Sequence, residues 1–371
     1  MKISDLQTPA LILDQEKVTR NTAAMTARLA AKGVKLRPHL KTAKSIDVAR
    51  LALQGNFGGV TVSTLKEGAY FLEHGIPDIV YAVCFEPNKL DPAADLTERG
   101  ADLKIIIDSV DVARAITGHG GAFKVLIEID CGEHRTGTPP NDAELLEIAD
   151  ALASGGNGQL VGVLTHSGHS YQCRSAAEIR QVAKDERNAV KLAASRLRAA
   201  GHACDIVSVG STPTAVFGED FDGVTEVRPG VYVFYDIFQA GLGVCHIDDV
   251  AVSVLASVIS HQPAFNRLLV DAGGLALSKD RSTAALETDQ GYGLVCDAET
   301  GHPIEGLIVG GVYQEHGQVT LPDTARLEQF PVGSRVRILP NHSCMTAAAY
   351  DSYNVVKGEN VIAEWKRCNG W

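Results

Sequence analysis

Dense runs of lysine or arginine are missing from this sequence, and 34 basic against 45 acidic side chains leave a net charge of −11. Proteins that hold nucleic acid or anionic membranes need cationic patches, so both classes are excluded. No apolar stretch reaches the roughly 20 residues of a membrane-spanning helix. Residues 1–14 lack the basic region, long apolar segment and cleavage site of a secretory leader. The eight cysteines (Cys84, Cys131, Cys173, Cys204, Cys245, Cys296, Cys344 and Cys368) have no paired spacing, which in a chain of this length argues against a disulfide framework. A cytoplasmic protein with reduced thiols is expected. Internal repeats and low-complexity linkers are absent as well.

What is present is an ordinary globular composition, 45% hydrophobic and 21% charged over 371 residues, sufficient for one large domain and a smaller one. Eight extended runs occur at 34–37, 59–63, 79–83, 103–108, 124–130, 161–165, 206–210 and 227–234. Segments with apolar residues at helical spacing, such as 143–153 and 176–200, lie between them. Runs rich in Val, Ile and Leu with polar ends fit a parallel sheet buried on both faces. Eight such β/α units predict an α/β fold, a TIM (β/α)8 barrel. After Cys245 the helical periodicity fades, and β-branched runs at 250–258, 267–271, 306–312 and 334–339 predict a β-rich second domain, with 10–13 as an additional strand. The expected barrel spans residues 20–245, and the β-rich domain residues 1–19 plus 246–371.

The segment Arg37-Pro38-His39-Leu40-Lys41-Thr42-Ala43-Lys44 places Lys41 just past the first extended run. Chemistry in these barrels gathers at the carboxyl ends of the strands. A lysine held there can offer its amine to a carbonyl, as a Schiff-base cofactor such as pyridoxal phosphate (PLP) requires. The seventh run ends Ser208-Val209-Gly210-Ser211-Thr212-Pro213-Thr214. There Gly210 lets backbone amides approach an anion, and Ser211 and Thr212 add hydroxyl donors. By itself this is also how a Ser/Thr helix cap reads. The eighth run carries Pro229-Gly230-Val231-Tyr232, and a phosphate site after strands seven and eight recurs in such barrels.

The fifth run leads into Cys131-Gly132-Glu133-His134-Arg135, and the sixth into His166-Ser167-Gly168-His169-Ser170-Tyr171. Either Arg135 or Tyr171 could meet a pyridine nitrogen, leaving it largely unprotonated, whereas a carboxylate would strengthen the electron sink. In Leu339-Pro340-Asn341-His342-Ser343-Cys344, residues two apart on an extended backbone face the same side, so His342 and Cys344 can chelate one ion. Imidazole with thiolate suits zinc. A third protein ligand is not evident, so water and substrate would complete the coordination.

Taken together, Arg37-Pro38-His39-x-Lys41-Thr42, the 208–214 segment, Pro229-Gly230-x-Tyr232 and Pro340-Asn341-His342-x-Cys344 resemble the D-serine dehydratase-like (D-threo-3-hydroxyaspartate dehydratase) family. These are alanine-racemase-type, fold type III PLP enzymes, and the resemblance runs nearly end to end. It implies a Schiff-base role for Lys41, a phosphate site at Gly210, Ser211, Thr212 and Tyr232, and Tyr171 near the pyridine nitrogen. It also implies a divalent metal (Zn2+, or Mn2+, Co2+ or Mg2+) at His342 and Cys344, and a homodimer. The implied reaction is dehydration of a small D-3-hydroxy amino acid, with Lys41 as base and the metal on the leaving hydroxyl. Products would be ammonia and a 2-keto acid: pyruvate from D-serine, oxaloacetate from D-threo-3-hydroxyaspartate. Lys279, Arg281 and the metal are candidates for holding a second substrate carboxylate.

Three alternatives remain at this level. D-threonine aldolases look similar over the barrel but carry His-x-Asp at the metal pair, and would cleave the bond between Cα and Cβ. A non-catalytic PLP carrier would have the barrel alone; the residues after Cys245 and the His342/Cys344 pair argue against it. A racemase would need a second acid/base such as Tyr292 or Tyr313, and nothing in the sequence marks either. Gln314-Glu315-His316 reads as a solvated loop rather than as support for the metal pair.

Overall fold

The computed structural model describes residues 1–371, the side chain of Ala325 excepted. It forms two compact units, Ala23–Gly230 with Gly370–Trp371, and Met1–Thr22 with Val231–Asn369. The strand β1 (Ala10–Asp14) belongs to the second of these.

In the larger unit the eight extended runs appear as β2 (Lys35–Leu36), β3 (Val60–Val62), β4 (Asp78–Cys84), β5 (Asp102–Ile107), β6 (Phe123–Ile129), β7 (Gly158–Thr165), β8 (Ile206–Val209) and β9 (Glu226–Val227). All pair in parallel, in the order β2-β9-β8-β7-β6-β5-β4-β3. A bridge between His39 and Thr61 joins the two ends of this order: Leu40 N–H reaches Thr61 O at 2.8 Å, and Thr61 N–H reaches Pro38 O at 2.9 Å. The sheet is therefore the expected TIM-like barrel.

The strands are buried on both faces because their residues are apolar at consecutive positions: Ile105, Ile106 and Ile107 in β5, and Val125, Leu126 and Ile127 in β6, are all buried. Two buried cations of this layer are paired. Buried Lys104 bonds Asp78 and Asp102 at 2.6 Å each, and Arg37 meets Asp78 and Glu226 at 2.8 Å each. Ser175 caps the helix Ala176–Ala199 by accepting the Glu178 N–H. This helix buries Ile179, Glu186, Val190, Ala193, Ala194 and Leu197, a stripe at helical spacing that includes one carboxylate.

The eighth run differs from its sequence reading. Only Glu226–Val227 is strand, and Val231–Val233 form a 3-10 turn. Pro229 has no N–H to give a ladder, and the Phe234 and Tyr235 N–H groups fold back onto Val231 O at 3.0 and 2.6 Å. The run at 206–210 likewise stops at Val209, because Gly210 turns to φ +135°.

The smaller unit is antiparallel, apart from the parallel pairing of β1 with Ser352–Lys357. It contains β10 (Val252–Gln262), β11 (Arg267–Val270), β12 (Leu294–Asp297), β13 (Pro303–Val312), β14 (Gly317–Thr320), β15 (Arg335–Leu339), β16 (Ser352–Lys357) and β17 (Asn360–Lys366). The eleven-residue β10 pairs with both β15 and β11, so the sequence β10-β11-β14-β13-β12-β15 closes on itself as a small barrel. As expected, β1 joins this unit, with Ala10 to Leu13 antiparallel to Leu255 to Val252. The eight cysteines form no disulfide. Among the described residues no helix is long and apolar enough to cross a membrane.

Candidate active site and metal pair

The carboxyl end of β2 carries two lysines with different circumstances. Lys44 sits at φ +48° and is tied to the buried carboxylate of Glu67 at 3.1 Å. Lys41 is exposed, and among the described residues its amine has no hydrogen-bond partner; its own N–H lies 3.5 Å from His39 Nδ1. Two half-buried imidazoles feel its charge. His39 falls well below the ordinary histidine range, first through burial and then through Lys41, Arg228 and His166. His166 is pushed down to about 3, again by burial first and Lys41 second, and its Nδ1–H donates to Gly210 O at 3.0 Å. Both rings are therefore neutral beside a lysine amine.

Arg135 and Tyr171 also gather around His166. Arg135 is among the charges that depress it, and the Tyr171 ring lies 6.5 Å away, centroid to centroid. Arg135 projects from the loop after β6, where Asp130 accepts the N–H groups of Gly132 and His134 at 2.9 and 3.1 Å. The Arg135 side chain is more than half exposed, with Glu133 at 3.6 Å.

The turn after β8 is more committed than its sequence implied. Gly210 cannot carry a side chain, since a Cβ would lie 2.6 Å from Arg228 N. Its N–H, however, goes to the buried Glu186 carboxylate at 2.9 Å. Ser211 forms a capping box with Thr214, donating N–H at 3.0 Å and accepting at 3.3 Å, and also bonds Ser170 at 2.9 Å. Thr212 differs: its hydroxyl is buried with no hydrogen-bond partner among the described residues.

In the smaller unit, the expectation of an extended His342-Ser343-Cys344 is overturned. His342 is extended (φ −139°, ψ 99°), but it caps the helix Ser343–Ala347, so Cys344 is helical. The strand β15 stops at Leu339 just before Pro340, and the Met345 and Thr346 N–H groups turn back to His342 O at 3.1 Å. The two side chains nonetheless lie close enough for Cys344 to favour the charged form of His342. Burial disfavours the imidazolium, yet bonds to Asp280 and Cys344 raise His342 to about 11. The bond with His342 holds Asp280 down at about 2. Asp236 is pushed up to about 6 by burial, against the pull of His342, while accepting the N–H groups of Ser343 and Gln239 at 3.1 and 2.9 Å. Tyr232 also belongs to this unit; its hydroxyl is buried without a partner among the described residues, and burial pushes its pKa up.

A family model of the alanine racemase N-terminal domain matches residues 13–237, and one of a putative serine dehydratase domain matches residues 251–356. D-threo-3-hydroxyaspartate dehydratase of Delftia sp. (strain HT23) is 45% identical, over 99% of this chain and 98% of its own. The chain belongs to the D-serine dehydratase-like family of alanine-racemase-type proteins. The solved structure of that Delftia protein superposes with a TM-score of 0.97 at 44% identity, covering 100% of both chains. D-serine dehydratase of Dictyostelium discoideum is 32% identical over 100% of this chain and 98% of its own. 3-Hydroxy-D-aspartate aldolase of Paracoccus denitrificans is 31% identical over 98% and 92%.

For a member of this family, the donors left over by the fold fit both expected groups. A lysine amine with no partner and a buried hydroxyl with none, Lys41 and Thr212, are of the kinds that a PLP aldehyde and phosphate take. An imidazole and a thiol that interact, His342 and Cys344, form a donor set for a borderline-soft divalent cation. Sequence reasoning did not single out Arg228, Glu186 or Asp280. Arg228 is wholly buried, donates to Ser208, Val209 O and Thr165 O, and falls to about 10 through burial. It directly precedes the quoted Pro229-Gly230. Of the other residues considered, Arg281 is paired with Asp289 and lies over Tyr292 at 5.1 Å. Gln314 to His316 form the exposed turn between β13 and β14, as read, and Tyr313 beside them is 63% exposed.

Proposed function

We propose that this protein is a PLP- and zinc-dependent dehydratase of D-3-hydroxy amino acids, acting on D-threo-3-hydroxyaspartate, D-serine or both, and releasing a 2-keto acid and ammonia. The reading is carried by the His342–Cys344 pair, found in a chain that matches the Delftia dehydratase almost end to end. The same reading assigns a homodimer in the cytoplasm, and admits Mn2+, Co2+ or Mg2+ in place of Zn2+.

When bound, PLP supplies an electron sink for charge developing at Cα, and a divalent cation makes the β-hydroxyl a better leaving group. Lys41 holds the cofactor by its amine and afterwards takes the proton from Cα. The neutral rings of His39 and His166 feel the charge of that amine without competing for the proton, since burial and that charge hold both below the ordinary histidine range. Arg135 and Tyr171 are the candidates for the pyridine edge. Thr212 offers its hydroxyl to the phosphate, with Gly210, Ser211 and Tyr232 as further members of that site. His342 and Cys344 hold the cation.

The retro-aldol alternative has a specific basis in the 31% identity to the Paracoccus aldolase. Products separate the two. With PLP and zinc added, D-threo-3-hydroxyaspartate should give oxaloacetate and stoichiometric ammonia, and D-serine should give pyruvate. Glycine with an aldehyde would move the chain to the aldolases despite Cys344.

A further inference from the structure

We propose that Asp280 is the positioning residue of the metal pair, its carboxylate fixing the His342 ring so that Nε2 is the nitrogen presented to a divalent cation beside Cys344. This rests on the reading of His342 and Cys344 as cation ligands.

Two carboxylates lie near His342, and only one bonds the ring. Asp236 gives its oxygens to the backbone, accepting Gln239 N–H at 2.9 Å and Ser343 N–H at 3.1 Å. Asp280 Oδ2 meets His342 Nδ1 at 2.8 Å. The other oxygen, Oδ1, accepts Ser282 N–H at 2.8 Å, and Asp280 N–H reaches Ser278 Oγ at 3.2 Å. The carboxylate thus has a separate partner on each oxygen and cannot rotate without losing one. Its flanking cations do not draw it away: Arg281 is engaged with Asp289 and Tyr292, and Lys279 is exposed.

The loop bearing Asp280 is fastened to the strand end bearing His342. Asn341, 1% exposed, donates its amide to Asp280 O at 3.2 Å and to Gly291 O, and accepts the Thr283 hydroxyl at 2.8 Å. On the other side Thr346, one turn beyond His342, donates its hydroxyl to Leu277 O at 2.7 Å. Asp280 is therefore bracketed at 277 and at 283 by bonds to residues adjoining the pair.

A cation binds His342 by displacing the Nε2 proton of its charged ring, leaving a neutral imidazole with one N–H and one lone pair. Donation of Nδ1–H to a carboxylate leaves the lone pair on Nε2, fixes the ring plane and raises the basicity of the ligating nitrogen; such partners typically account for about 10- to 100-fold in metal affinity.

The test uses the PLP-loaded protein, stripped of metal and retitrated with Zn2+ against a chromophoric chelator. Asp280→Ala should bind Zn2+ about 10- to 100-fold more weakly than the parent, with the visible PLP band unchanged. Asp280→Asn keeps an acceptor oxygen without the charge and should fall between; being isosteric, it carries the test if the alanine variant fails to fold. Co2+ in Asp280→Asn should show the parent's band positions at a higher midpoint. Parent affinity in both Asp280 variants, with binding lost in His342→Ala, would overturn the role of Asp280 alone. Parent affinity in His342→Ala would remove the metal pair and this proposal together. Shifted Co2+ bands in Asp280→Asn would make Asp280 a ligand, which also overturns a positioning role.

Discussion

The buried carboxylate of Glu186 accepts the Gly210 N–H at 2.9 Å, so an acid on a long helix holds the turn assigned to the cofactor phosphate. Burial raises the pKa of Glu186, against the bonds from Gly210, Ser167 and Thr214. Glu186→Gln keeps an acceptor oxygen without a charge and should leave PLP affinity within about threefold, equivalent to less than ~1 kcal/mol. Glu186→Ala leaves the Gly210 amide unsatisfied, at a cost of about 1–3 kcal/mol, and should weaken PLP binding and lower Tm together. PLP titration by absorbance, with thermal melts, checks both variants. Parent-like behaviour of the alanine variant would show that the turn holds itself.

Lys41, rather than Lys44, is expected to carry the cofactor, because Lys44 is held by Glu67 at 3.1 Å. Lys41→Ala should abolish the visible absorbance of lysine-bound PLP and reduce turnover by at least about 10²-fold, the lower end for a positioned acid or base. Lys44→Ala should retain the band. A full band in Lys41→Ala would sink the assignment.

The barrel was legible because its strands are short apolar runs at regular spacing, and β1 because the apolar run 10–13 precedes the first barrel helix. The eighth strand was read too long, since a buried apolar run such as Val231 to Phe234 looks the same whether it ladders or turns. Spacing also failed at His342 and Cys344, which approach through a helix start rather than along a strand. Glu186 did leave a trace: it stands seven residues after Ile179 and four before Val190, an acid on the apolar stripe. Asp280 left none, because a bond across 62 positions has no local pattern.

Arg37, Asp78 and Lys104 predict the acid sensitivity of the barrel. Burial tends to raise the pKa of Asp78, but bonds to Arg37 and Lys104 bring it below its ordinary 3.8. The folded chain therefore binds this proton more weakly than the unfolded one. The stabilisation is fully present above the ordinary carboxylate range and is lost as pH falls toward the depressed value. Asp78→Asn should cost about 1.5–3 kcal/mol at neutral pH, the range for hydrogen bonds to charged groups, because Arg37 keeps Glu226 and Lys104 keeps Asp102. Its stability should also vary less than the parent's between about pH 5 and pH 2. Urea melts across that range decide it: parallel curves for the two proteins would exclude Asp78 as a source of the acid dependence.

Removing the cation should separate the two halves of the proposed chemistry. Hydroxide is a poor leaving group, and the assigned Lewis acid is held by His342 and Cys344. A strong chelator should therefore halt keto acid and ammonia formation while the visible PLP band persists, since Lys41 needs no metal to hold the cofactor. Added Zn2+ should restore turnover. Cys344→Ala should behave as the chelated parent at low Zn2+, because a lone imidazole binds the ion far more weakly than imidazole with thiolate. Undiminished turnover in excess chelator, with bound metal shown to be gone, would take the cation out of the reaction and leave the elimination to Lys41 and the cofactor.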